Sequence, residues 1–164
     1  MHVNFKANFI DDVPLKYYGQ GSFVEIQPRN LYDLLAVREV ADSWNTNLTN
    51  GILEDVEKCF HKNDAHTRFY AVTRQTKDFE QIKPAGILAM METQNLSPTQ
   101  TKINLLQVNP LNKREGIGRS IINCFKDFTL CKEILVHPLE DAMTFYTKMG
   151  FKPKNGLLNW ILKK

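Results

Sequence analysis

Apolar and polar residues alternate from the start of the chain. Val3, Phe5, Ala7 and Phe9 stand between His2, Asn4, Lys6 and Asn8, which predicts a half-buried strand. Residues 13–22 hold Pro14, Gly19 and Gly21 and read as a loop, and a second short strand follows at 23–27, stopped by Pro28. The period then changes. Leu31, Leu34, Leu35, Ala41 and Trp44 form the apolar stripe of a helix that Asn30 can cap. After a turn-rich stretch at 45–51, Ile52, Val56, Cys59 and Phe60 mark a second helix, with Thr49 or Asn50 as its cap.

Three strands come next, at 68–74, 84–93 and 101–108, separated by a charged hairpin loop at 75–83 and a turn at 95–100. With no helix between them they should form an antiparallel meander. Ile117, Ile121, Cys124, Phe125 and Phe128 then recur at helical spacing, predicting a helix over 116–130, and 133–137 reads as a short buried strand. Strand, crossover helix and strand imply a parallel pair with a right-handed connection. Pro138 opens a last helix, whose stripe is Ala142, Phe145, Tyr146 and Met149 and whose stop is Lys148 and Gly150. Residues 157–162 are the final strand. The order predicts one α/β domain over 1–164, a mixed sheet of six to seven strands with about four helices.

Composition narrows the class only a little. At 164 residues, 43% hydrophobic and 24% charged, the chain suits one globular domain with a core of its own. A net charge of +3 is too mild for a nucleic-acid signature. Cys59, Cys124 and Cys131 have neither metal spacing nor an even count, so they read as small hydrophobes in a reducing compartment. His61 and His66 flank a polar helix end and are read as solvated, with no metal expected. No Sec-type leader and no run of about 20 apolar residues is present, which predicts a cytoplasmic protein away from the membrane. A protein exported by a non-Sec route would look the same.

Residues 105–118 read L-L-Q-V-N-P-L-N-K-R-E-G-I-G: strand, polar loop, then glycines opening a helix. The first N–H groups of a helix lack internal partners and sit at the positive end of its dipole, so this arrangement suits an anion. Lys113, Arg114 and Arg119 add charge. A lone G-x-G is more often only a turn. The wider pattern is V-x-P-x-x-K-x-x-G-I-G-x-x-I-I, and A-M-T-F-Y-T-K-M-G-F follows at residues 142–151. Together they resemble the acyl-CoA loop and the closing helix of the GNAT superfamily of N-acyltransferases. The likeness covers 23–162 and leaves 1–22 as an additional strand and loop. Two departures stand out: Lys113 occupies a position that is usually Arg or Gln, and Leu139 one that is often Asn.

The resemblance implies a splayed central strand pair whose gap takes the pantetheine arm of acetyl-CoA, the co-substrate, against the backbone of Leu106 and Val108. It implies that Lys113 and the amides of Arg114, Glu115, Gly116, Ile117, Gly118, Arg119 and Ser120 hold the pyrophosphate. An N–H near Val108 would polarise the thioester carbonyl. Tyr146 matches the family's general acid. The base is open between Glu92, His137 and a water chain. The implied activity is transfer of an acetyl group to a primary amine, on a small molecule or a protein. The alternative is an acyl-CoA-binding or silent interaction module. The loops at 45–51, 95–100 and 155–157 would set the acceptor. Nucleic acid is not favoured, and a homodimer is left open.

Overall fold

The structure is a computed structural model that describes residues 3–76 and 81–162. Its strands are β1 (Asn8–Leu15), β2 (Gly19–Ile26), β3 (Thr67–Thr73), β4 (Ile87–Ser97), β5 (Gln100–Val108), β6 (Glu133–Val136), β7 (Lys152–Lys154) and β8 (Leu157–Ile161). Its helices are α1 (Leu31–Trp44), α2 (Asn47–His61), α3 (Ile117–Phe128) and α4 (Met143–Lys148). The strands form one sheet in the order β1-β2-β3-β4-β5-β6-β8-β7. Every pairing is antiparallel except β5 with β6. The predicted mixed sheet, its parallel crossover and its four helices are all present, with eight strands in place of six to seven.

Side chains alternate across the sheet and bury both faces. Phe69, Ala71 and Met90 pack with Val37, Ile52 and Val56 of α1 and α2. Tyr70, Val72 and Met91 pack on the other face with Ile121 and Phe125 of α3 and Tyr146 of α4. Each fully buried aliphatic side chain contributes about 1.5–3 kcal/mol over its exposed state. The α1 stripe differs from the expected one: Leu31 is exposed, while Ala36, Val37 and Val40 are buried.

Several boundaries moved, each for a local reason. The first strand starts at Asn8, not Val3. Buried Asp33 accepts the N–H groups of Lys6 (2.5 Å) and Ala7 (3.1 Å), and this draws the segment out of any ladder. Only Phe5 forms a bridge, to Ile82. Residues 13–22 are a hairpin and not a loop. Pro14 is tolerated because β1 is an edge strand, and Gly19, at φ +72°, turns the chain into β2. Thr46, not Thr49 or Asn50, caps α2, with Thr49 closing a reciprocal capping box. The turn expected at 95–100 is shorter, since β4 runs to Ser97 and β5 starts at Gln100. Pro84–Gly86 is a short 3-10 turn before β4. After Pro138, a 3-10 turn at Glu140–Ala142 precedes α4. The strand the pattern missed is β7, whose Lys-Pro-Lys sequence has no apolar alternation. The loop expected at 75–83 lies partly outside the described residues.

Candidate active site

The phase and end of β5 create the site. β5 pairs with β6 only from Gln100 to Ile103, opposite Glu133 to Val136. On its other side, Ile103 faces Thr93 and Leu105 faces Glu92, so Asn104 is an extra residue with no partner on β4. Such a bulge bends a strand and increases its twist. The β6 pairing stops at the residue before it, and beyond that point the two strands part.

The freed backbone can be identified. The N–H of Asn109 donates to Leu88 O of β4 at 2.8 Å. Because successive residues point their backbone groups to opposite sides, those of Val108 and Leu106 face the gap. The resemblance had picked the same two residues. One carbonyl is already engaged: Gln107 Nε2 donates to Val108 O at 2.7 Å, while Gln107 Oε1 accepts from Thr46 Oγ1 at 3.2 Å. The gap is a cleft of about 80 Å³, lined among others by Leu106, Asn104, His137, Leu139 and Tyr146.

Two residues further along β5, Val108 borders a second hollow of about 330 Å³. Lys113, Arg114, Gly116, Ile117, Gly118 and Arg119 line it. Gly116 caps α3 at φ +79°, a conformation that favours glycine, and Arg114 shares the left-handed region at +66°. A Cβ on Gly118 would meet the Phe145 ring at 3.3 Å, so this glycine lets α4 close over the start of α3. One expected ligand differs. Ser120 spends both its N–H (3.1 Å) and its hydroxyl (3.0 Å) on Gly116 O, leaving no donor for an anion. The Glu115 carboxylate, as distinct from the amide expected to bind, accepts from Tyr18 Oη at 2.9 Å and Asn112 Nδ2 at 3.2 Å.

Hollow and cleft are bordered by neighbouring residues on both walls. Leu106 and Val108 lie about 7 Å apart along β5, and the consecutive residues Phe145 and Tyr146 of α4 line the hollow and the cleft respectively. Tyr146 is 5% exposed, between the rings of Phe145 (5.0 Å) and Phe151 (5.4 Å). Burial pushes its phenol well above the ordinary tyrosine range, so it holds its proton as a donor. The six-residue α4 is too short to stand alone. Lys126 of α3 fixes its far end, donating to Met149 O at 2.5 Å while lying over the rings of Trp160 (4.9 Å) and Phe151 (5.4 Å).

The two candidate bases sit differently. His137, one residue past β6, is exposed and borders the cleft. Glu92 is 3% exposed on the α2 side of β4. Its Oε2 accepts from Asn104 Nδ2 at 3.3 Å, and its Oε1 has no donor. Burial first, then the nearby Asp55 carboxylate, pushes its carboxyl up to about 8. Asp55, Asn104, Gln107 and Phe145 were not foreseen. The doublet Leu105–Leu106 after Asn104 breaks the period-two alternation, which is the sequence mark of a bulge. Among the described residues no cluster of three or more His, Cys, Asp or Glu could hold a metal, and no helix is long and apolar enough to cross a membrane.

The fold recurs in solved structures. A Desulfovibrio desulfuricans protein described as an acetyltransferase of the GNAT family superposes with a TM-score of 0.63 at 16% identity, over 86% of this chain and 98% of that one. The chain has the GNAT fold. Tetrahymena GCN5 matches at a TM-score of 0.57 and 15% identity, covering 94% of this chain and 97% of its own. The spermidine/spermine N-acetyltransferase SpeG of Vibrio cholerae matches at 0.57 and 14%, covering 86% and 93%. No model of a known family and no curated protein matches the sequence. In this GNAT fold the parting strands are β5 and β6, and the closing helix is α4.

Proposed function

We propose that the chain is an acetyl-CoA-dependent N-acetyltransferase acting on a primary amine. The observation that carries this reading is the placement of the hollow next to the cleft along β5 and α4. A hollow lined by basic residues at the start of α3 neighbours a gap that β5 edges with its backbone, and a buried tyrosine lines that gap. The pyrophosphate fits the amides of Ile117, Gly118 and Arg119 with Lys113 and Arg114 beside them. The amide-rich pantetheine arm adds to β5 as an extra strand would, through Leu106 and Val108. Gln107 must yield Val108 O or share it. A cytoplasmic setting goes with this reading.

The chemistry follows from the groups at the cleft. A neutral amine attacks the thioester carbonyl, the C–N bond forms and the C–S bond breaks. Tyr146, kept protonated by burial, gives its proton to the departing thiolate. The ammonium first gives one proton to Glu92, to His137 or to water, and the second, lost from nitrogen as the amide forms, returns through water to the Tyr146 phenolate. Glu92 reaches the cleft only past Asn104, whose amide is not a proton relay, so that route needs a water. An amine acceptor is supported by the likeness to SpeG, named for spermidine and spermine.

The test is Tyr146→Phe, with acetyl-CoA titrated calorimetrically and turnover followed with amines of several kinds. Affinity should hold while kcat falls by about ten- to a thousandfold. Turnover within twofold of wild type would remove Tyr146 as acid. Wild-type protein that binds acetyl-CoA but transfers nothing would favour the interaction-module reading.

A further inference from the structure

The orphaned oxygen of Glu92 is the least satisfied polar atom in the described core. Buried polar atoms are almost always hydrogen-bonded, and a buried carboxylate oxygen without a donor is costly. Glu92 stands between two elements. From β5, Asn104 donates to Oε2. From α2, the half-buried carboxylate of Asp55 comes within hydrogen-bonding reach. Two carboxyl groups can hydrogen-bond only when one of them holds a proton. The missing donor is therefore a proton that Glu92 itself carries toward Asp55.

We propose that Asp55 and Glu92 share one proton beneath the acceptor side of the cleft, and that Asp55 is a positioning residue that governs when Glu92 is free to act as base. The functional half rests on the acetyltransferase reading given above. The surroundings fit. Lys58, one turn along α2, places Nζ 3.7 Å from Asp55 Oδ1 and balances the pair from outside. Cys59, also on α2, is a buried thiol whose ionisation is held back by its own burial and by Asp64, Glu92 and Asp55. On the β3 side Glu92 lies opposite Phe69, which is fully buried and brings no charge. Asp55 and Lys58 are thus the charged partners, and Asn104 the polar one.

The arrangement has a chemical use. A carboxylate freed only near neutral pH or above is a stronger base than an ordinary one, and better matched to an ammonium proton. Asn104 links the pair to the cleft, since it touches Glu92 on one side and lines the space beside Tyr146 on the other. The bulge is what puts it there: the extra residue aims both Asn104 and Leu105 toward α2. The same irregularity therefore opens the cofactor gap and seats the base.

The pair is tested without reference to activity by following the Glu92 side-chain carboxyl in a carbon-13 NMR titration, its signal assigned by its absence in Glu92→Gln. Wild type should titrate far above the usual carboxylate range, and Asp55→Asn should move the midpoint toward acid. Asp55→Glu should recover part of the shift. An ordinary midpoint in wild type, or one unmoved in Asp55→Asn, overturns the shared proton. Acetyl transfer is the second arm. The acid limb of kcat/KM should follow the titration midpoint and shift with it in Asp55→Asn. A shifted midpoint with an unmoved acid limb overturns the role in turnover. Wild-type protein without any transferase activity overturns the acetyltransferase reading and that role with it, while the titration still decides the pair.

Discussion

At one end of the seam between β5 and β6, Glu133 accepts from Lys154 Nζ at 2.6 Å, Gln100 Nε2 at 2.7 Å and Asn159 Nδ2 at 2.8 Å. These bonds tie β5, β6, β7 and β8 together and hold the carboxyl down to about 2. At the other end, past Asn104, the strands part, and the nearest buried carboxyl, Glu92, has one oxygen without a donor and is pushed up to about 8. Two glutamates on one sheet are thus shifted in opposite directions by what surrounds them. Where donors converge, the charged form is favoured and the seam is shut. Where burial and a second carboxylate meet, the neutral form is favoured beside an opening. The bonds are concentrated at the closed end, and the proposed chemistry belongs to the open one.

The contrast can be broken most forcefully at Glu92. In the folded chain its carboxyl keeps a proton up to about pH 8, whereas in the unfolded chain it loses it near 4.5. The folded state binds the extra proton between those values, so this residue costs stability increasingly as pH rises through that window. Glu92→Gln, whose amide can donate to Asp55 at any pH, should match wild type near pH 5 and exceed it by a few kcal/mol at pH 9. Denaturant midpoints at the two pH values check this, and a constant difference across them would show that Glu92 does not hold the proton.

A smaller effect is expected from deleting Asn104. The faces of the flanking residues on β5 are preserved, because the bulge is a single inserted residue. The strand should straighten toward β6 and lose the free backbone groups of the gap. Acetyl-CoA affinity should fall by about ten- to a hundredfold, equivalent to one or two hydrogen bonds, while far-ultraviolet circular dichroism stays native. Unaltered affinity would mean that the gap does not depend on the bulge.

The smallest effect lies at the closed end. Glu133→Gln keeps the shape and removes the charge facing Lys154. Its pairs are open to solvent at one side, so the loss at pH 7 should be about 1 kcal/mol. That stabilisation is present above the unfolded value of 4.5 and is lost as pH falls toward 2. Thermal unfolding at pH 7 and pH 2.5 should therefore show the variant weaker only at the higher pH.

Much of the fold was legible because its signals are local. The periodicities of α1, α3 and β3 to β6, the cap at Asn30 and the glycines at 116 and 118 each act over a few residues. The failures involve partners far away in sequence. Nothing near Lys6 shows that Asp33 will take its amide, and nothing in Lys-Pro-Lys shows that β8 will pair with it. Asn155–Gly156 was the available hint for β7, since both residues take positive φ in the hairpin turn. In the site, Tyr146 and the glycine loop came from motif spacing. Asp55 could not, because it reaches Glu92 only after α2 has packed on the sheet. Ser120 was assigned as a ligand because it lies in the motif, but its position within the first turn of α3 already commits its amide to Gly116.

Helix α4 touches α3 at two points: Phe145 rests over Gly118, and the last turn hands its Met149 carbonyl to Lys126. Those points are eight positions apart on α3, about 12 Å of helix. The location of Tyr146 is therefore a property of α3 more than of the short helix that carries it. For a protein engineer this reverses the obvious target. Residues of α4 facing solvent can be exchanged freely, whereas changing the length of α3 between Gly118 and Lys126 would displace the tyrosine without altering any residue of α4. The same geometry makes α3 the gauge that sets the spacing between the hollow at Gly118 and the tyrosine.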